Sequence, residues 1–240
     1  CWDDHGKGPD GKCWFNPWKQ AWEHCMKRQL GADGFAKMYQ GVVTNDENAV
    51  FRRGDWRYYA ESELPEDTRG AIFIDLAHEE KTTADYTVIA AICTDGIRRF
   101  WRRLIRRRMA FPEAVLAVKE MRGHFPYYPV VIEDISNSKP LIQQLQKEIG
   151  NVIAWKLEGR SKLARAEAAS PAHEAGDWYL PQGAGWTGEF VEEHAQFPYG
   201  KFDDVCDVSS MQHLYFARRI SGQRKRVGLP FRRSWESLSA

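Results

Sequence analysis

The stretch Ala71-Ile-Phe-Ile-Asp75-Leu-Ala77, followed after a polar turn by Asp85-Tyr-Thr-Val-Ile-Ala-Ala91, decides how the chain is read. The first run is apolar and β-type, and it carries one acid, Asp75, at its end. A second β-rich run begins at Tyr86, beside Asp85, and lasts to Cys93. Burying an unpaired carboxylate is costly, so a strand that ends on one needs a reason. Holding a metal ion is one such reason, and capping the next turn is another. One acid decides nothing. The question is whether others can join it.

Outward from this stretch the pattern is regular. Thr94-Asp95-Gly96 is a hairpin signal, and a third strand is expected from Ile97 to about Ile105. Pro112 opens a helix that ends near Gly123, and Val130 to Glu133 reads as the fourth strand. A helix from Leu141 to Ile149, closed by Gly150, leads to a fifth strand from Val152 to Leu157. A helix over 161–169 is expected to stop before Pro171, with a short strand at Asp177 to Leu180. Gly188 to Gln196 reads as helix, and a long helix follows from Phe202 to about Ile220. The order β-β-β-α-β-α-β-α predicts an antiparallel meander, then alternating units that lay later strands parallel to the first. The fold class is therefore α/β, with a mixed five-stranded sheet flanked by helices.

Upstream, two short helices are expected near 17–30 and 33–40, and Gly41 to Thr68 reads as loop. Gly6 to Lys12 spells the spacing of a phosphate-binding loop. It lacks a preceding strand, and Cys13 stands where a Ser or Thr hydroxyl would hold magnesium, so it reads as surface loop.

The chain has 240 residues and a net charge of +1, so overall charge does not announce a nucleic-acid partner. The cations are clustered instead, in Arg98 to Arg108 and after Arg218. Strict strand alternation would set Arg98, Phe100 and Arg102 on one face and Arg99, Trp101 and Arg103 on the other. That suits a DNA-contacting rim or a solvated edge strand equally well. Five cysteines form no CxxC pair, which reads as reduced thiols. No apolar run approaches the roughly 20 residues of a membrane span.

Three acidic groups occupy comparable places: Asp75, Glu133, and the trio Asp203, Asp204 and Asp207 at the head of the long helix. If the first and fourth strands are parallel neighbours, Asp75 and Glu133 meet at one edge. On the helix, Asp204, Val208, Met211 and Tyr215 fall within about 60° of one another at ~100° per residue. Asp204 is thereby aimed at the sheet, with Asp207 on its flank. Asp203 reaches only if the helix begins at Asp204. Such a cluster repels itself unless divalent cations neutralise it. All-oxygen ligands suit magnesium or manganese, and a pair of such ions supports phosphodiester hydrolysis. Ordinary turn and helix-terminus acids are the plainer reading of each group taken alone.

Five segments together carry a resemblance: Ile-Phe-Ile-Asp75; Ala84-Asp85-Tyr-Thr-Val-Ile; Val-Val-Ile-Glu133-Asp-Ile-Ser-Asn; Lys162-Leu-Ala-Arg165-Ala; and Phe197-Pro-Tyr-Gly-Lys-Phe-Asp203-Asp204-Val-Cys-Asp207. Over roughly 68–220 the chain resembles the nuclease domain of the large terminase subunit of tailed bacteriophages, a ribonuclease-H-like fold. The resemblance implies a metal-dependent endonuclease that cuts concatemeric viral DNA during genome packaging. Two Mg2+ or Mn2+ ions would be held by Asp75, Glu133, Asp203 and Asp204, with Asp207 as a fifth candidate. Asp75, Glu133 and Asp204 would form the catalytic set. Lys162, Arg165, Arg102 and Arg103 are the candidate DNA contacts. Double-stranded DNA is the implied substrate, a portal protein and a small terminase subunit the implied partners, and the cytoplasm of an infected bacterium the implied location. Phe202 stands where the family usually has a His. Residues 1–67 resemble the end of the family's ATPase domain plus linker, and residues 221–240 form a basic tail. Neither Walker motif is present, so no ATP hydrolysis is expected from this chain alone. It reads as a cut-down nuclease, or as one whose motor lies on another chain. The rival readings are another ribonuclease-H-like enzyme, such as a resolvase or transposase, and a non-catalytic domain that binds DNA or a portal.

Overall fold

A computed structural model describes residues 49–77, 86–157 and 159–226, with side chains to 219. The expected helices near 17–30 and 33–40, the loop at Gly6 to Lys12, Asp85 and the end of the basic tail lie outside the described residues.

Seven strands form one mixed sheet: β1 (Arg57–Tyr59), β2 (Arg69–Asp75), β3 (Thr87–Thr94), β4 (Arg99–Arg107), β5 (Val130–Glu133), β6 (Val152–Trp155) and β7 (Trp178–Pro181). Their order across the sheet is β1-β7-β4-β3-β2-β5-β6. Strands β2, β3 and β4 make the antiparallel meander, while β5 is parallel to β2 and β6 to β5. The five expected strands are present, as is the short strand expected at Asp177 to Leu180, here β7, and β1 extends the sheet further. Strand β7 joins β4 in parallel, and β1, from a segment read as loop, joins β7. Three residues with a single buried side chain, Tyr59, are too short for periodicity to reveal.

Among the described residues, five helices cover the sheet: α1 (Phe111–His124), α2 (Lys139–Glu148), α3 (Lys162–Glu174), α4 (Thr187–Gln196) and α5 (Asp204–Arg226). Helix α3 runs through Pro171 instead of stopping before it. Its core face, including Ala166, Ala169 and His173, is buried, and that burial outweighs one missing N–H. The backbone of α5 likewise continues as helix beyond Ile220, into the start of the basic tail.

Strand alternation divides the core in two. Ile72, Ile74, Ile89, Val130 and Ile132 pack with Val115, Val118 and Met121 of α1 and Leu141 and Leu145 of α2. Phe73, Val88, Ala90 and Val131 face the other way, onto Val208, Met211, Tyr215 and Phe216 of α5. Phe73 meets the Tyr215 and Phe216 rings edge-on at 5.4 and 5.5 Å, each contact adding about 0.5–1.5 kcal/mol beyond burial. These contacts lock α5 across β2, and so set where its first residues stand.

The basic strand β4 does not alternate strictly. Ala91 pairs with Arg103 and Ile92 with Trp101, so Arg102 is the extra residue of a β-bulge. The bulge lets two consecutive arginines share the α1 face. Arg103 pairs with Glu120 of α1 at 2.9 Å. Arg102 pairs with Glu61 and lies 5.8 Å from the Phe125 ring.

Candidate active site

The parallel register of Phe73 with Val131 carries Asp75 and Glu133 to the same end of adjacent strands. Both point to the face that α5 covers, since Phe73 and Val131 lie on it. Helix α5 begins at Asp204, so Asp203 is the residue just before it. Asp204 and Asp207 are buried, at 8% and 7% exposure, while Asp75, Glu133 and Asp203 are half-buried.

These acids act on one another. Burial pushes the Asp75 carboxyl well above the usual carboxylate range, and the charges of Asp207, Asp204 and Glu133 push it further. The ammonium of Lys162 pulls the other way. That ammonium sits 2.8 Å from Asp203 Oδ2 and 2.7 Å from Asp207 Oδ2. Burial disfavours its charge, yet the carboxylates of Asp207 and Asp203 hold it protonated beyond its ordinary range. Arg165 Nη2 donates to Asp207 Oδ1 at 2.6 Å, and its Nη1 donates to the Arg160 carbonyl at 3.2 Å.

The donor set is all carboxylate oxygen, which fits a hard divalent cation rather than a thiophilic one. Among the described residues, however, no three Asp, Glu, His or Cys side chains already stand close enough to share an ion. Asp203 and Asp207 are turned toward Lys162, whose single charge occupies the place in the electrostatics that a cation would take.

A comparison with family models matches residues 72–216 to the Terminase RNaseH-like domain. The chain belongs to that family. Among solved structures, the terminase fold is shared with the large terminase nuclease of thermophilic phage G20c with bound magnesium. That match has 14% identity over 71% of this chain and 97% of that one, with TM-score 0.54. The P22 large terminase nuclease domain matches at 13% identity, 72% and 93% coverage and TM-score 0.52. The human cytomegalovirus terminase nuclease domain matches at 14%, 68% and 92%, with TM-score 0.50. A comparison with curated protein sequences gives no match.

Within this terminase domain the five expected acids occupy one region, and Lys162 joins them. Of the other candidate DNA contacts, Arg165 joins them too, but from inside the fold, whereas Arg102 and Arg103 lie elsewhere. Arg165 is 7% exposed and ion-paired inside the fold, because α3 turns that side chain toward α5. The bulge places Arg102 and Arg103 on the α1 face, across the sheet from the acids.

Two residues went unread in the sequence. Glu193 of α4 accepts the Val205 N–H at 2.7 Å, capping the start of α5, and pairs with Arg106 at 2.7 Å. Burial raises its carboxyl to about 7. His194 is fully buried; its Nδ1 lies 2.7 Å from the Phe190 carbonyl and its Nε2 2.7 Å from Ser209 Oγ. Both belong to one Glu192-Glu193-His194 run on a helix, and only the helix's contacts distinguish them from surface residues. Phe202, at the position usually held by His, packs against Tyr86 at 5.0 Å and under the Arg106 guanidinium at 5.1 Å. It does the work of an apolar wedge there.

Proposed function

We propose that this chain is a divalent-metal-dependent DNA endonuclease that cuts concatemeric viral DNA during packaging. The observation that carries the reading is the β2–β5 register and the start of α5, which bring Asp75, Glu133 and Asp204 to one end of the sheet, within a terminase nuclease fold. Asp75, Glu133 and Asp204 would hold the ions, two of them Mg2+ or Mn2+, with Asp203 as a further ligand. The G20c nuclease with bound magnesium supports that choice of ion. Such ions supply an activated water and charge stabilisation at the leaving oxygen.

The chain's own residues set up the rest. Arg165 fixes Asp207, and Glu193 fixes the start of α5, so Asp204 stands at a defined point above the sheet. Lys162 balances part of the negative charge and would yield Asp203 as ions enter. Asp207 is then a brace rather than a ligand. Portal protein and small terminase subunit are proposed as partners, and residues 1–67 as a segment resembling the end of an ATPase domain plus linker.

The present closure of Asp203 and Asp207 upon Lys162 favours one rival, a non-catalytic DNA- or portal-binding domain. Plasmid digestion with Mg2+ or Mn2+ separates the two. The parent should cut and Asp75→Asn should lose at least about 100-fold in rate, the scale of a catalytic electrostatic group. Equal cutting by both removes Asp75 from the mechanism, and no cutting by the parent leaves the binding role.

A further inference from the structure

Strand β6 is the sheet edge next to β5, and Glu133 pairs in register with Trp155. Side chains of registered neighbours share a face, so Trp155 lies on the face that carries Glu133. A groove of about 250 Å³ opens there, between the end of β6 and the middle of α5. Trp155, Leu157 and Leu214 line its apolar floor, and Lys156, Arg160 and Arg218 its rim.

The rim is built rather than scattered. Arg218 lies over the Trp155 ring at 5.0 Å. That stacking orients the guanidinium against the ring. The Trp155 ring is itself held edge-on by Tyr215 at 5.1 Å. Arg160 is carried on a loop pinned through its carbonyl by the buried Arg165. Lys156 is 81% exposed in its side chain and stands 3.9 Å from Asp134 Oδ2. Three cations around an aromatic and aliphatic floor suit a polyanion with apolar units, which is the chemistry of a nucleic-acid strand.

The groove's place fits that occupant. From Asp207 to Leu214 and Arg218 the axis of α5 rises about 10–16 Å at ~1.5 Å per residue. At ~3.4 Å per step of a strand, that is about three to five nucleotides from the acids. We propose that this groove holds the DNA strand beside the cleavage position. Phosphate oxygens lie between Arg160, Arg218 and Lys156, and a sugar or base edge rests on the floor made by Trp155, Leu157 and Leu214. The proposal rests on the nuclease reading for its substrate.

Binding of a short labelled duplex tests it, by fluorescence anisotropy without divalent metal across about 50–200 mM salt. Each phosphate contact contributes about 0.9 to the slope of log K against log salt. Arg160→Gln/Arg218→Gln should therefore flatten the slope by about two, and Lys156→Gln by about one. All three side chains are at the surface, so melting temperatures should match the parent's, and single Arg160→Gln leaves the Trp155 stack intact. Slopes and affinities equal to the parent's, as expected if the groove serves an acidic protein segment, overturn the proposal. A parent that binds no duplex overturns it too. The readout needs no cleavage, so a chain that binds through these residues but never cuts would sink the nuclease reading alone.

Discussion

Replacing Arg165 by Met asks whether this cation belongs to the interior or to the DNA. Its guanidinium is 2.6 Å from Asp207 Oδ1, with side chains 8% and 10% exposed. Removing one partner of a buried pair strands the other and costs about 3–5 kcal/mol. Asp207 keeps Lys162 at 2.7 Å, so the lower end applies, about 3 kcal/mol. For a domain of this size each kcal/mol moves the melting temperature by about 2–4 °C, which gives a fall of about 6–12 °C. Thermal unfolding in metal-free buffer reads it directly. Asp207→Leu in the Arg165→Met background should recover part of the loss, because the stranded carboxylate is gone, with a coupling of about 0.5–3 kcal/mol. A melting temperature within about 2 °C of the parent, together with a drop in duplex affinity, would refute the reasoning and return Arg165 to the surface as a DNA contact.

Two further outcomes follow from the same region. His194 is held neutral, its pKa lowered to about 3 by burial, against the support of its bond to the Phe190 carbonyl. The unfolded chain takes up a proton below about 6.5 and the folded chain does not, so stability falls with pH through that window by about 1.4 kcal/mol per unit. Glu193, raised to about 7, acts oppositely, losing its contribution as pH rises from about 4.5. The comparison is therefore parent minus His194→Phe in urea unfolding at pH 7 and pH 5: the parent should lose about 2 kcal/mol more than the variant, and equal losses would refute the assignment. For Lys162→Met, removal of the ammonium that pairs with Asp203 and Asp207 should lower metal-free stability and enlarge the stabilisation by magnesium, which reaches about 2.7 kcal/mol at 100 times Kd. A smaller magnesium shift than the parent's would show that Lys162 helps ion binding rather than competing with it.

The meander and the parallel return of β5 were legible because apolar runs with turn signals report burial directly. Asp75, Glu133 and Asp204 were legible for the same reason: each stands at the end of a strongly patterned element, on the face its neighbours bury. What stayed hidden depends on pairs distant in sequence. Strand β1 exists only because β7 offers an edge. The bulge at Arg102 comes from the pairing of β4 with β3, and no run of residues within β4 announces it. Arg165 reads as an exposed helix cation until α5 is laid against α3. Pro171 does not end its helix, since one missing hydrogen bond is tolerated where Ala166, Ala169 and His173 hold the buried face.

The two faces of the sheet divide the work of the molecule. Against α1 and α2 the strands bury a cluster of aliphatic side chains that supplies hydrophobic stabilisation. Against α5 the same strands end in acids, and Asp75 there feels three carboxylates and one ammonium. A single ammonium does not neutralise such a group, so part of the imbalance is met by a raised Asp75 pKa, which lets a proton do what a cation would do better. On the proposed reading, protons and divalent ions would compete for this carboxyl, and an ion that bound would release the proton. The stability lost to this crowding is borne by the apolar face. That separation explains how a strand as buried as β2 can end on a charge: the fold spends its stable side on holding an unstable one in place.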